Sequence, residues 1–118
     1  MDNKSLGSRG EEAAALYLVR HGYKILERNF RVPTGEIDIV AGQGDILVFA
    51  EVKTRRTERC GFPAQAVNYH KQQKIIQTAK WFLRQRHLEE RPCRFDVLEV
   101  YAHGENCHIR HIIGAFEA

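Results

Sequence analysis

The sequence predicts an α/β protein: a mixed central sheet flanked by helices, in the order α-β-β-β-α-β with a short strand to follow. Three observations carry this. Apolar residues recur at helical spacing in two segments, one near the N-terminus and one past the middle of the chain. Between and after them lie apolar or alternating runs bounded by Gly and Pro. One run, Ile46 to Thr54, begins apolar on both faces, as a central strand covered on both sides does.

The elements follow in order. Ser8-Arg9-Gly10-Glu11 has the S-x-x-E spacing of a capping box, so a first helix is expected to begin there. Ala14, Tyr17, Leu18 and His21 share one face of it, and Gly22 is placed to end it. "YKILERNFRV" reads as the first strand and Pro33-Thr34-Gly35 as a turn. Glu36 to Ala41 is the second strand, Gly42-Gln43-Gly44-Asp45 a tight turn, and Ile46 to Thr54 the third strand. "RRTERCGFP" is a loop, and Pro63 suits the first turn of a long helix. Val67, Ile75, Ile76, Ala79, Phe82 and Leu83 form that helix's apolar stripe. "RFDVLEVYA" is a fourth strand, and "CHIRHIIGAFEA" a short edge strand at the end of an exposed, partly ordered tail. His103, Cys107, His108 and His111 gather in that tail, but alternation sends Cys107 and His108 to opposite faces, a poor geometry for zinc.

With 118 residues, 43% of them hydrophobic and 28% charged, the chain suits one domain spanning residues 1–118. No run approaches the roughly 18 apolar residues of a membrane span. The N-terminus lacks the apolar core of a secretory leader, so a cytoplasmic protein is expected. Three cysteines, odd in number and far apart, indicate neither a disulfide framework nor a zinc ribbon. Net charge is +3, but from Lys53 to Arg94 eleven Lys and Arg meet three Glu, leaving the rest of the chain acidic. Such asymmetry suits a polyanion partner, nucleic acid above all; a solvated helix face is the plainer alternative.

Charges inside the strands point to chemistry. In the third strand Leu47, Phe49, Glu51 and Lys53 share a face; in the second, Glu36, Asp38 and Val40 do. With Gln43-Gly44 as the hairpin loop, Asp38 faces Phe49 and Glu36 faces Glu51. Asp38 and Glu51 are then diagonal neighbours, roughly 7–8 Å apart. A slip of one residue would separate them onto opposite faces. Two buried carboxylates repel and are costly, and a divalent cation between them removes both problems. Hard oxygen donors favour Mg²⁺ or Mn²⁺. The structural alternative is an ion pair of Glu51 or Glu36 with Lys53.

Asp38 followed by Glu51-Val52-Lys53 resembles the D…E-x-K core of the PD-(D/E)xK, restriction-endonuclease-like nucleases. The strings "GEIDIVA", "VFAEVKTR", "GSRGEEAAALYL" and "ERNFR" resemble one branch of it, the YraN-like family of small bacterial predicted endonucleases, itself similar to archaeal Holliday junction resolvases. The resemblance runs from Gly7 to about Val100. It implies a restriction-endonuclease-like α-β-β-β-α-β core. Asp38 and Glu51 are implied as metal ligands, the Val52 carbonyl as a third, and Lys53 as the residue that stabilises charge or orients the attacking water. Glu12 would complete the site from the first helix, with Glu11 beside it as the alternative. Ile37 stands where the superfamily name has Pro. The activity implied is metal-dependent endonuclease cleavage of DNA, branched DNA included, leaving a 5′-phosphate and a 3′-hydroxyl. A homodimer would match two-fold symmetric substrates.

Arg55, Arg56 and Arg59, on the loop leaving the site, and Lys71 and Lys74, on the second helix, are the expected phosphate contacts. Lys80, Arg84 and Arg86 read as a solvated face. Gln65-x-x-x-Tyr69 matches a motif of some exonuclease branches, with a packed helix aromatic as the alternative. Asp96 reads as a structural hydrogen-bonding or ion-paired group, with support of the site from a neighbouring strand as the alternative, and Trp81 and Phe82 read as core or interface. Two rival functions remain: a non-catalytic nucleic-acid-binding protein on a nuclease fold, and a structural protein that docks partners through the Trp81–Phe82 helix.

Overall fold

The computed structural model describes residues 5–56 and 67–118. Helix α1 (Leu6–Arg20) precedes strands β1 (Lys24–Val32), β2 (Gly35–Gln43) and β3 (Ile46–Arg55); helix α2 (Tyr69–Arg86), β4 (Cys93–His103) and β5 (Asn106–Phe116) follow. The strands form one sheet in the order β1-β2-β3-β4-β5. Neighbours are antiparallel except β3 and β4, which run parallel. A parallel pair needs a crossover, and α2 lies within it. The result is a restriction-endonuclease-like α-β-β-β-α-β core with one further strand.

The dual apolar face of β3 organises the layers. Leu47 and Phe49 pack with Ile75, Ile76, Ala79 and Phe82 of α2. Val48 and Ala50, pointing the other way, pack with Ala14 and Leu18 of α1. Phe82 is wholly buried, whereas Trp81 is well exposed. No helix among the described residues is long and apolar enough to cross a membrane.

Four local expectations differ from the structure. The first cap is Ser5, whose side chain accepts the Ser8 amide at 3.1 Å, so Ser8 lies inside the helix. The second helix is capped by Asn68, which accepts the Lys71 amide at 2.9 Å; Pro63 lies outside the described residues. The β2–β3 loop is Gly44-Asp45, because Gln43 pairs with Ile46. Gly44 takes φ +58°, which glycine adopts at no steric cost at the head of a two-residue loop. Finally, the tail is no short strand: β5 has 11 residues and pairs with β4 along most of its length.

One end of the sheet gathers the termini of several elements. The start of β2, the end of β3 and the first turn of α2 meet there. Helix α1 arrives at the same end, because a Cβ on Gly10 would collide with the side chain of Thr54 in β3.

A candidate metal and phosphate site at the end of the sheet

The β2–β3 ladder ends at Ile39↔Ala50, and one step further positions 38 and 51 stand opposite each other. The register is displaced by two residues from the one expected, which preserves parity: both carboxylates remain on one face, directly opposed rather than diagonal. Where the ladder stops, the Asp38 side chain replaces it. Its Oδ2 accepts the Val52 amide at 2.7 Å, satisfying a backbone donor and fixing the carboxylate.

Both acids are buried, Asp38 at 8% exposure and Glu51 at 5%. They line a cleft of about 430 Å³ with Val52, Lys53, Asn68, His70, Lys71 and Lys74. Two larger hollows, of about 640 and 520 Å³, contain no pair of carboxylates. Burial, and then the Asp38 charge, push Glu51 up to about 7, although the Lys71 ammonium works against them. Lys71 Nζ lies 2.5 Å from Glu51 Oε2, and Lys53 Nζ lies 3.9 Å from the same atom. Burial and the neighbouring Lys71 lower the Lys53 pKa; burial would lower Lys71 too, but its bond to Glu51 raises it.

The donor set suits a hard divalent cation. Asp38 and Glu51 bring oxygen ligands from adjacent strands, and their mutual repulsion is the kind a cation relieves. Among the described residues, no group of three or more His, Cys, Asp or Glu is gathered for a metal. Glu36 also lines the cleft but is exposed and paired with Arg31, so Asp38 and Glu51 are the buried acids on offer, a set suited to an ion that keeps water or substrate oxygens.

The remaining expected residues fall into separate groups. Glu12 is exposed, while Glu11 is half-buried. The Glu11 pKa is raised, by burial first and then by the Asp38 charge. Arg55 does not stand free: its Nε donates to buried Glu99 at 3.0 Å, and Glu99 also accepts the Tyr101 hydroxyl at 2.8 Å. Arg56 is exposed at the end of β3, and Lys74 is exposed on the cleft wall. Arg59 and Gln65 lie outside the described residues. Tyr69 is 73% exposed rather than packed.

A further residue stands next to the site, unannounced by motif. Asn29 of β1 sits between the pairs Arg28↔Ile39 and Phe30↔Ile37, at the position facing Asp38. Its φ is +54°, and its side chain works against burial in setting the Glu11 pKa. Left-handed backbone at a non-glycine residue is uncommon, though Asn tolerates it best. The string "ERNFR" contained it, without marking its role.

The model of the uncharacterised protein family UPF0102 matches residues 10–100. The chain belongs to this family. A UPF0102 protein of Geobacter metallireducens is 51% identical over 118 residues, covering 99% of this chain and 96% of that one. Another, from Syntrophotalea carbinolica, is 48% identical, covering 96% and 92% respectively. A solved EndoMS-dsDNA2 complex aligns with 80% of this UPF0102 chain and 38% of its own, at 22% identity and a TM-score of 0.35. A likeness that slight carries no argument about activity.

On the other face of the sheet, Asp96 organises a network of its own. Its buried carboxylate accepts from Arg94 at 2.8 and 2.9 Å, from the Gly114 amide at 3.0 Å, and meets His111 Nε2 at 2.7 Å. His111 reaches Tyr17 through its other nitrogen at 3.2 Å. So Asp96 is ion-paired, as expected, and His111 belongs to a structural network rather than to a zinc site.

Proposed function

We propose that this protein is a metal-dependent endonuclease that hydrolyses phosphodiester bonds in DNA, with branched or flapped DNA as the preferred class. The single observation behind the reading is the opposition of Asp38 and Glu51 in a cleft lined by Lys53, Lys71 and Lys74. Burial and the Asp38 charge raise the Glu51 pKa, and two acids buried side by side are costly as structure alone.

Asp38 and Glu51 would hold Mg²⁺ or Mn²⁺, with the Val52 carbonyl as a third donor. When bound, the ion supplies Lewis-acid activation of water and neutralises charge on the phosphate. Lys53, from the same strand as Glu51, orients the water and faces the charge that grows at phosphorus. The water oxygen bonds to phosphorus, the bond to the 3′-oxygen breaks, and the water proton balances the leaving oxygen. The products are a 5′-phosphate and a 3′-hydroxyl. A carboxylate of α1, Glu12 or its neighbour Glu11, would complete the site. Lys74 and Arg56 would contact flanking phosphates, whereas Arg55 supports the end of β3 through Glu99.

The test offers labelled linear, flapped and four-way DNA to the purified protein with Mg²⁺ or Mn²⁺, alongside Lys53→Ala. Metal-dependent cutting lost in the variant supports the reading. Equal cutting by both proteins points to a contaminant and removes it. Lys71 already neutralises Glu51 by contact, which favours one rival, a binding protein without cleavage; retention of DNA with no cutting under any metal would select it.

A further inference from the structure

Of the two lysines beside Glu51, the nearer does not come from its own strand. Lys71 Nζ is 2.5 Å from Glu51 Oε2, against 3.9 Å for Lys53. Lys71 occupies the first turn of α2, where the positive end of the helix dipole opposes a cation and no acidic residue offsets it. Local helix physics disfavours a lysine there; Glu51 accounts for its position. The partners differ in freedom, the Glu51 side chain being 6% exposed and the Lys71 side chain 44%. The Lys71 backbone is anchored through its amide to Asn68 Oδ1 at 2.9 Å, which confines movement to the four-carbon stem.

Resting on the reading that Asp38 and Glu51 bind a divalent ion, we propose that Lys71 is a displaceable counter-ion. It occupies Glu51 until the ion takes its place, and the released ammonium then joins Lys74 at the cleft wall to hold a substrate phosphate. A bound competitor weakens the apparent affinity of whatever displaces it. Metal entry and phosphate binding become coupled, each strengthening the other by the same factor. The free protein thus holds metal weakly and loads it best when nucleic acid is present.

The test is a Mn²⁺ titration without DNA, read by the paramagnetic resonance of free Mn²⁺, so that turnover plays no part. Wild type is compared with Lys71→Gln, Lys71→Met, Lys74→Gln and Glu51→Gln, each verified as folded by circular dichroism. Either Lys71 variant suffices if the other does not fold. Removing a competing charge in contact with Glu51 is expected to tighten Mn²⁺ binding about tenfold. Lys74→Gln should bind as wild type does, because Lys74 lines the cleft without pairing with Glu51. Equal tightening by Lys74→Gln reduces the effect to net charge and overturns the proposal. Unchanged or weaker binding by the Lys71 variants also overturns it and leaves the metal site standing. Binding by Glu51→Gln equal to wild type, or no binding by any protein, removes the metal site and the proposal together.

Discussion

Asp38 Oδ2 accepts the amide of Val52 at 2.7 Å, so a residue of β2 closes the backbone of β3 where their ladder ends. The same carboxylate serves the fold and lies beside Glu51 in the cleft. These roles separate by substitution. Asp38→Asn keeps an acceptor for Val52 and should cost little stability. Asp38→Ala orphans the half-buried Val52 amide and should cost about 1 kcal/mol in urea denaturation. Both should abolish metal-dependent cleavage.

Glu51 makes stability depend on pH in an unusual direction. Its folded pKa, about 7, lies above its ordinary 4.5. The folded state therefore holds an extra proton in that window, and its stabilising effect is complete below the lower value and lost as pH rises through the upper one. Glu51→Gln should be more stable than wild type at about pH 8, by on the order of 1–3 kcal/mol. The difference should shrink toward pH 4.5 in thermal melts.

Asp96 behaves in the opposite sense. Burial alone would raise its pKa, but bonds from His111, Arg94 and Gly114 outweigh it and bring the value down from 3.8 to about 2. Its contribution is present above the ordinary value and lost as pH falls through the folded one, about 2 kcal/mol in all. Asp96→Ala leaves the Arg94 charge without its partner and should cost about 3–5 kcal/mol. Denaturation curves between pH 5 and 2 check the first, and calorimetry the second. Mn²⁺ affinity should be unchanged in any Asp96 variant that folds.

Gly10 tests how α1 is held. A Cβ there would lie 2.8 Å from the Thr54 Cβ, so Gly10→Ala must push the helix away from β3. Overpacking of this kind costs about 1–3 kcal/mol. Because Glu11 follows directly, cleavage should fall by more than the fold is weakened, and paired melts and rates would show it.

Local pattern made the strands legible, and with them the face on which Asp38 and Glu51 lie. Parity has period two, so even a register displaced by two residues keeps both acids together; only the loop, Gly44-Asp45 instead of Gln43-Gly44, had to be seen. The caps were legible in kind but not in place, since Ser5 and Ser8 are equivalent as isolated side chains. Contacts between distant residues left no local trace. Nothing beside Arg55 marks Glu99 as its partner, nothing beside Lys71 marks Glu51, and the pairing of β5 with β4 alone carries His111 to Asp96.

The central claim is that Asp38 and Glu51 jointly hold one divalent ion, and the stabilisation of the folded protein by Mg²⁺ or Mn²⁺ at about pH 8 tests it most directly. The melting temperature of wild type should rise steadily with metal concentration, while Asp38→Asn and Glu51→Gln should not respond. The same rise in all three proteins would contradict the claim.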